Sequence, residues 1–406
     1  MRHEDGIAVF GNHDTQTLGQ LRDVASRADK TAIMADGHMG YIMPIGGVAA
    51  YRNKISVAGV GFDIACGNAA IRTDLKLEAI QPYLERLADE IAASISFGVG
   101  RSNKADDAPT DHALFESEAW DALPGKTVRE ALCQKARAQL GTVGSGNHYV
   151  DVFADENGDI WVGVHFGSRG LGHTVASGFM ALYQNKPWDA RNVEIEALLD
   201  LESELGKGYW ALMNLAGEYA YAGREWVARK VVQILGGKEQ ELVHNHHNFG
   251  WKETHEGEEL VVIRKGATPA FPGQKGFVGG SMGDNAVILQ GTPDGDSATK
   301  AMQEAAMFST VHGAGRVMSR SQAIGKVNRK TGEVIRQGQV TPGAMKKWVK
   351  DKGVILRGGG LDESPHVYRR LPEVLGAQGK TVEVLHTLRP LIVVMAGANE
   401  VDPYKD

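Results

Sequence analysis

The stretch ISVAGVGF, residues 55–62, alternates small apolar side chains with glycines and runs directly into DIACG, residues 63–67. Short apolar runs broken by glycine favour short strands and tight turns. Because the same pattern extends over residues 31–73, we predict sheet structure there rather than helix. Glycine supplies 51 of the 406 residues, well above its usual share of about 7%. Many turns or close backbone approaches are therefore expected.

Helical and extended patterns alternate irregularly along the rest of the chain. Apolar residues recur at three- and four-residue spacing, typical of amphipathic helices, in residues 75–93, 128–140, 193–215 and 301–308. Strands are predicted at residues 160–165, 259–264, 286–289 and 391–395. This order predicts an α+β fold with mixed β-sheets flanked by helices, and not a doubly wound sheet. No linker or repeat divides the chain, so we predict a single domain over residues 1–406.

Composition narrows the location and the class of protein. No apolar run approaches the roughly 20 residues that cross a bilayer, and residues 1–14 lack the order of a signal peptide. We therefore expect a cytoplasmic protein with no membrane partner and with reduced thiols. The net charge of −6 excludes a uniformly basic surface but leaves room for a local nucleic-acid groove. Cys66 and Cys133, the only cysteines, cannot form a disulfide framework for this length.

The segment GVGFDIACG, residues 59–67, places Asp63 and Cys66 three residues apart between glycines. A carboxylate together with a thiolate suits a divalent transition metal better than magnesium or calcium, because sulfur is a soft ligand. A buried free cysteine in a turn is the alternative, and for a lone cysteine it is the more common case.

Histidines in glycine- or asparagine-rich segments favour the metal interpretation. Each alone is more often a structural residue than a ligand, but five such segments together with Asp-x-x-Cys indicate a metal site. A thiolate can bridge two ions, so the residues are compatible with a site for one metal ion or for two. The histidines are His38, His148, His165, His247 and His312.

Four glycine-rich pieces combine backbone freedom with a cation or a hydroxyl group. They are GSRG, RKGAT, GGSMG and HGAGR, beginning at residues 167, 264, 279 and 312. Such loops can present N–H groups to phosphate oxygens, although none has the order of a P-loop. Charge-assisted bonds to the same anions are expected from Arg169, Arg264, Lys265, Arg316 and Arg320.

Taken together, these segments resemble the RtcB family of RNA-splicing ligases from about residue 35 to residue 397. The matching pieces stand in family order: DGHMGY, PIGGVAA, GVGFDIACG, GTVGSGNHYVDV, VHFGSRGLGH, HNHHNFGWKE, RKGATPA, GGSMG, VHGAGRVMSR and LRPLIVV. The resemblance implies a fold of the RtcB type around a central metal cleft.

The resemblance also implies a ligand set and a reaction. Asp63, Cys66 and His148 would hold one manganese ion, and Cys66, His165 and His247 a second. His312 would attack GTP to form a covalent histidine–GMP. The guanylyl group would then pass to an RNA 3′-phosphate, and a 5′-hydroxyl would displace GMP; 2′,3′-cyclic phosphate ends would first be opened by water. RNA repair or tRNA splicing is the implied role, and a partner that activates the enzyme is left open.

Nucleotide contacts follow from the same resemblance, but four positions depart from the family pattern. Asp151 stands where a glutamate reads guanine, Ala286 replaces a serine, and Ala396 replaces a lysine that contacts guanine. Arg369 follows Tyr368 where an acidic residue is usual. The choice of GTP is therefore open. The implied contacts are Asn147, Asp151, His247, Asn248, Gly280, Ser281, Met282, Gly283, His312, Gly313, Ala314, Gly315, Arg316 and Tyr368.

Two other functions are weighed against the ligase. A metal-dependent phosphoesterase acting on RNA ends would need the metal ligands but not a covalent His312. A protein that only binds RNA ends would need neither, so the full set of candidate ligands disfavours it.

Overall fold

The computed structural model describes residues 1–191, 193–327, 334–398 and 400, and the remainder of the predicted domain lies outside it. The strands in these ranges are β1 Arg2–Glu4, β2 Ile7–Val9, β3 Lys30–His38, β4 Ile45–Tyr51, β5 Lys54–Ser56, β6 Gly67–Lys76, β7 Tyr149–Ala154, β8 Asp159–Phe166, β9 Leu198–Asp200, β10 Glu239–His246, β11 Asn248–His255, β12 Glu258–Lys265, β13 Ala267–Pro269, β14 Lys275–Val278, β15 Ala286–Gly291, β16 Ser309–Val311, β17 Gly325–Val327, β18 Val334–Gln337, β19 Ile355–Arg357 and β20 Val382–Met395. The α-helices are α1 Thr15–Ala25, α2 Val57–Val60, α3 Leu77–Ile80, α4 Leu84–Ser94, α5 Lys126–Gln139, α6 Arg169–Tyr183, α7 Glu204–Leu235, α8 Ser297–Ala305, α9 Arg320–Ile324, α10 Pro342–Asp351 and α11 Leu371–Gln378.

Two mixed sheets organise the described residues. The first has the strand order β1-β2-β3-β4-β12-β11, with β2 and β3 parallel. The second runs β10-β6-β8-β7-β20-β15-β14, and β19 pairs with β20 in parallel. Asn68 on β6 and Asn245 on β10 hydrogen-bond to the main chain of Phe277 on β14. The second sheet therefore curls until its two ends meet.

Helix α7 packs across β6 and β8 and closes one side of the second sheet. It begins where the Ser203 side chain accepts the N–H of Gly206, and it ends at Gly236, whose φ of +78° suits a glycine C-cap. Tyr209 and Tyr219 are among its fully buried side chains. A side chain at Gly217 would collide with Phe249, so this glycine permits close packing against β11.

Most of the predicted elements are confirmed. The four predicted strands lie in β8, β12, β15 and β20, and residues 75–93, 128–140 and 301–308 fall largely in helices α3 and α4, α5, and α8. The α+β fold is thus correct. None of the helices in the described ranges combines the length and apolar character needed to cross a membrane.

Two local predictions are wrong. The predicted helix over residues 193–215 begins only at Glu204, because residues 198–200 form β9, which pairs with β5. The stretch ISVAGVGF is only partly extended, since residues 57–60 form α2, with the Ser56 hydroxyl accepting the N–H of Gly59. In both cases a contact that the apolar pattern does not specify decides the local structure.

Candidate active site

Adjacent strands of the second sheet bring the candidate ligands to one edge. The register places His246 of β10 opposite Gly67 of β6, and Gly67 opposite Phe166 of β8. Their neighbours Cys66, His165 and His247 therefore end side by side, although they lie far apart in sequence. The main-chain N–H of His247 reinforces this arrangement by donating to the carbonyl of Cys66 at 2.8 Å.

Four side chains converge into one cluster at this edge. Sγ of Cys66 lies 3.3 Å from Nε2 of His165 and 3.8 Å from Nε2 of His148. Nε2 of His148 is also 3.1 Å from Oδ2 of Asp63. The donor atoms of Cys66, His148 and His165 all lie within 4.8 Å of one another, as ligands of a metal ion must.

The chemistry of these donors fits a divalent cation. Nδ1 of His148 lies 2.9 Å from the carbonyl of Val143 and so holds the ring proton. With a proton on Nε2 the ring donates to the Asp63 carboxylate, and without that proton the lone pair of Nε2 faces the carboxylate and the Cys66 sulfur. Two electron-pair donors facing each other repel unless a proton or a metal lies between them. A carboxylate, a thiolate and imidazoles form a ligand set for a transition metal.

Burial and charge set the protonation of the cluster. Burial opposes the ionised form of Asp63, but the interactions with His148, Arg169 and Cys66 together outweigh it and lower the pKa of Asp63 to about 2. Burial and the Asp63 carboxylate raise the pKa of the Cys66 thiol well above its ordinary value. Burial also lowers the pKa of His165 and His247 well below the ordinary value, so both imidazoles are neutral. Metal binding thus has to displace the thiol proton of Cys66 and any proton between His148 and Asp63.

His247 lies between the cluster and His312. Its ring centre is 5.1 Å from that of His165 and 4.9 Å from that of His312. Its Nδ1 is buried and has no hydrogen-bond partner. An orphaned imidazole nitrogen beside a thiol is what a second metal position would satisfy.

His312 follows β16 and is held by Asp36 of β3. Oδ2 of Asp36 lies 2.6 Å from Nδ1 of His312 and accepts the main-chain N–H groups of His312 and Gly313. Asp36 is fully buried, whereas His312 borders a cavity. Because Nδ1 donates to Asp36 in the neutral ring, the lone pair of Nε2 is the one available for reaction.

A cavity of about 620 Å³ joins the cluster, His312 and the glycine-rich loops. This volume suits a nucleotide-sized ligand. Of the residues that the family resemblance predicts to bind metal or nucleotide, His148 and Gly283 do not line it; His148 lies within the cluster, and Gly283 lies beside Trp348. The other predicted residues at its wall are Asp63, Cys66, Asn147, Asp151, His165, His247, Asn248, Gly280, Ser281, Met282, His312, Gly313, Ala314, Gly315, Arg316 and Tyr368.

Comparison with known proteins decides the family. The family model for tRNA-splicing ligase RtcB matches residues 19–396. The chain belongs to the RtcB family. It is 31% identical to the tRNA-splicing ligase RtcB of Archaeoglobus fulgidus, over 88% of this chain and 86% of that protein. The RNA-splicing ligase RtcB of Escherichia coli K12 is 31% identical over 89% of each chain. The tRNA-splicing ligase RtcB of Nanoarchaeum equitans is 30% identical over 94% of this chain and 92% of its own length.

The predicted family and the prediction of an RNA ligase are thereby confirmed. The mixed fold of the chain agrees with membership of the RtcB family. The family model covers the second sheet and all of the first except β1 and β2, and it includes His312 and the cluster.

One end of the cavity in this RtcB-family chain combines apolar walls with a buried acid. Met282, Val393 and Met395 line the wall. Asp151 is 8% exposed, and its Oδ1 has no hydrogen-bond partner. Burial raises the pKa of Asp151 well above the ordinary value. A ligand group that donates hydrogen bonds would satisfy this carboxyl group.

Three further positions were predicted to differ from the family pattern, namely Ala286, Ala396 and Arg369. Ala286 is buried on β15, opposite Leu388, and does not line the cavity. Ala396 is also buried and away from the wall, so neither position offers a polar contact to a ligand. Arg369 donates to the carbonyls of Ala35 and Gly37, on either side of Asp36.

The predicted phosphate-binding cations divide into two groups. Arg316 and Arg320 line the cavity but pair with Glu363, which also accepts the Tyr368 hydroxyl. Arg169, Arg264 and Lys265 do not line it. Nη1 of Arg169 lies 3.4 Å from Nδ1 of His148. The predicted role of Arg264 and Lys265 is wrong, because both side chains are buried away from the cavity. The Arg264 guanidinium is fully buried in a pair with Glu253, at 2.6 Å. The Lys265 amine donates to the carbonyls of Tyr41 and Ala58.

Sequence reasoning missed Asp36, Glu363 and Arg224. Asp36 stands in DGHMG, two residues before His38, and only the fold brings it to His312. Arg224 had a visible signal, because it is a cation in phase with Ala220, Val227 and Val231 on the buried face of α7. A charge on such a face marks a specific partner network.

Proposed function

We propose that this chain is a GTP- and manganese-dependent RNA ligase that joins RNA 3′-phosphate or 2′,3′-cyclic phosphate ends to 5′-hydroxyl ends, in RNA repair or tRNA splicing. The observation that carries the proposal is the Asp36–His312 pair, which borders the same cavity as the Asp63–Cys66 cluster. A phosphoesterase needs the cluster but has no use for an oriented nucleophilic histidine.

The chemistry assigned to His312 is a nucleotidyl transfer. Nε2 of His312 attacks the α-phosphorus of GTP, the bond to the β-phosphate oxygen breaks, and pyrophosphate leaves. An oxygen of the RNA 3′-phosphate then attacks the same phosphorus and frees His312. Finally the 5′-hydroxyl attacks the activated 3′-phosphorus, a phosphodiester forms and GMP departs. Asp36 keeps Nδ1 protonated and stabilises the positive charge that the ring gains in the first step.

Two manganese ions fit the donors of the cluster and of His247. Asp63, Cys66 and His148 would hold one, and Cys66, His165 and His247 the other, with the thiolate shared. When bound, the ions would neutralise phosphate charge and orient the reacting groups. The orphaned Nδ1 of His247 and the lone pairs that converge on Asp63 support this assignment.

The end of the cavity near Asp151 supports recognition of a nucleobase edge that carries hydrogen-bond donors. The unpartnered Oδ1 of Asp151 would accept the N–H groups of guanine, and Tyr368 and Met282 border the same space. Asn147 and the HGAGR loop, including Gly313, Ala314 and Gly315, are assigned to phosphate or ribose, since they line the same cavity as the cluster.

We also propose that residues 1–406 act as one ligase domain in the cytoplasm. His38 of the first sheet and His165 of the second both line the cavity, so neither sheet forms it alone. A reduced thiol at Cys66 requires a reducing compartment.

Protein labelling tests the covalent step. The protein is incubated with manganese and GTP labelled in the α-phosphate, denatured, and examined for acid-labile label on the chain. Wild type should be labelled and His312→Ala should not, while both bind manganese equally. Absence of label with GTP and with ATP would overturn the ligase mechanism.

An assay with defined RNA ends distinguishes a ligase from a phosphoesterase. One oligonucleotide ends in a 3′-phosphate and the other begins with a 5′-hydroxyl. A joined product that requires His312 supports the ligase. Loss of the terminal phosphate without joining, unchanged in His312→Ala, would favour the phosphoesterase.

A further inference from the structure

Arg224 is a fully buried cation in the middle of α7. Burial lowers its pKa to about 10, so the guanidinium remains charged at neutral pH. Such burial is costly unless each N–H group finds an acceptor. Among the described residues, Arg224 forms no ion pair with a carboxylate, so its partners must be neutral acceptors.

The guanidinium makes four hydrogen bonds, and they reach three separate chain segments. Nη1 donates to the carbonyl of Ala65 at 2.9 Å and to that of Phe166 at 2.6 Å. Nη2 donates to Nδ1 of His246 at 2.8 Å, and Nε donates to Nε2 of His244 at 2.9 Å. The planar fork thus spans from the loop before β6 to β8 and β10.

Three of these acceptors are sequence neighbours of candidate metal ligands. Ala65 precedes Cys66, Phe166 follows His165, and His246 precedes His247. Ala65 also has a φ of +60°, which is unfavourable for a residue with a side chain. An external bond to its carbonyl helps to fix that turn and hence the direction of the Cys66 side chain.

We infer that Arg224 is the positioning residue of the metal centre: its guanidinium fork fixes the three backbone segments that present Cys66, His165 and His247. The inference rests on the proposed function only in taking these residues as metal ligands. Among the described residues, Arg224 makes no hydrogen bond to the side chains of Cys66, His165 or His247, and it acts through their neighbours.

A lysine cannot replace this fork. Its ammonium group is a point charge that cannot reach three separated acceptors in one plane. Arg224→Lys therefore keeps the charge and removes the geometry. The matched control is Arg229→Lys on the same helix, where the guanidinium is half-exposed and pairs with Glu225 and Glu239.

Cobalt(II) binding to the purified full chain tests the inference without measuring catalysis. A cobalt–thiolate bond gives a charge-transfer absorption band, which reports the placement of Cys66 directly. Arg224→Lys should bind cobalt about tenfold or more weakly and with a weaker band, at a temperature where circular dichroism shows it folded. Arg229→Lys should match wild type in both measurements.

Equal affinity and an equal band in Arg224→Lys and wild type would overturn the inference and leave the ligase proposal intact. Failure of wild type to bind cobalt would instead overturn the metal centre itself. Should Arg224→Lys not fold, His246→Phe removes one acceptor and keeps the ring that stacks on Tyr221. Wild-type cobalt affinity in His246→Phe would then contradict the inference.

Discussion

Oδ2 of Asp36 accepts three hydrogen bonds at the nucleophile, from Nδ1 of His312 at 2.6 Å and from the main-chain N–H groups of His312 and Gly313. The carboxylate therefore fixes the tautomer of the ring, the rotation of the ring and the path of the loop. Its other oxygen, Oδ1, is buried without a partner. Among the described residues, the side chain of Asp36 therefore hydrogen-bonds only to His312 and Gly313.

Asp36→Asn should slow labelling of the protein by GTP about 10²- to 10⁴-fold. The amide keeps the shape of the side chain but removes the charge and can impose the wrong tautomer on His312. The measurement is the initial rate of acid-labile labelling. Asp294→Asn, at an exposed site, is the control. Wild-type labelling by Asp36→Asn would show that His312 needs no orientation.

The stability of the metal-free protein should fall in acid because of His244. Burial lowers the pKa of His244 from 6.5 to about 4, and Arg224 requires its Nε2 as an acceptor. The unfolded chain thus takes up this proton at higher pH than the folded chain. The contribution of neutral His244 to the free energy of unfolding is fully present above about pH 6.5 and is lost as the pH drops towards 4.

His244→Gln should flatten this dependence, because a glutamine accepts from Arg224 and donates to Glu225 without titrating. Urea unfolding in the presence of a chelator, at pH 7 and pH 4, measures the difference. The fall in free energy of unfolding should be smaller in the variant by about 3 kcal/mol. Parallel curves for the two proteins would contradict the prediction.

The sequence was sufficient for the most buried strand segments, because most of β8 and the last five residues of β20, 391–395, are nearly continuous apolar runs. It was insufficient where pairing between distant segments decides. Residues 193–199 have a helical spacing, yet Leu198–Asp200 pairs with β5 as a strand. No local pattern contains that information.

The candidate site shows the same limit. The residues around Cys66 indicated a metal, but spacing could not say which histidines approach it, because they come from separate elements. Asp36 and His312 are 276 residues apart. Their contact depends on how the ends of β3 and β16 meet. The resemblance to a family supplied a list of residues, whereas the fold supplied their partners.

Asp151 should govern the choice of nucleotide. Once it has lost its proton, the Asp151 carboxylate accepts two donors, which matches the N1–H and amino groups of guanine. Asn offers one acceptor and one donor, which matches the amino group and N1 of adenine. Asp151→Asn should therefore reduce labelling by GTP at least tenfold relative to labelling by ATP. Parallel labelling with the two nucleotides measures the ratio, and an unchanged ratio would exclude Asp151 from base recognition.

Gly315 should be indispensable for the position of Asp36. Its φ is +74°, and a Cβ there would lie 2.3 Å from the carbonyl oxygen of Asp36. Gly100 has a similar φ of +68° but open space around it. Gly315→Ala and Gly100→Ala therefore share the backbone cost of about 1 to 2 kcal/mol, and only Gly315→Ala adds the collision.

Comparison of these two glycine variants separates backbone strain from displacement of Asp36. Gly315→Ala should lower the labelling rate at least tenfold, because movement of Asp36 misaligns Nε2 of His312. Gly100→Ala should label at the wild-type rate despite its cost in unfolding free energy. Equal labelling by the two variants would mean that the loop of His312 adapts to the added methyl group, and that the packing of Gly315 against Asp36 does not set the geometry of the nucleophile.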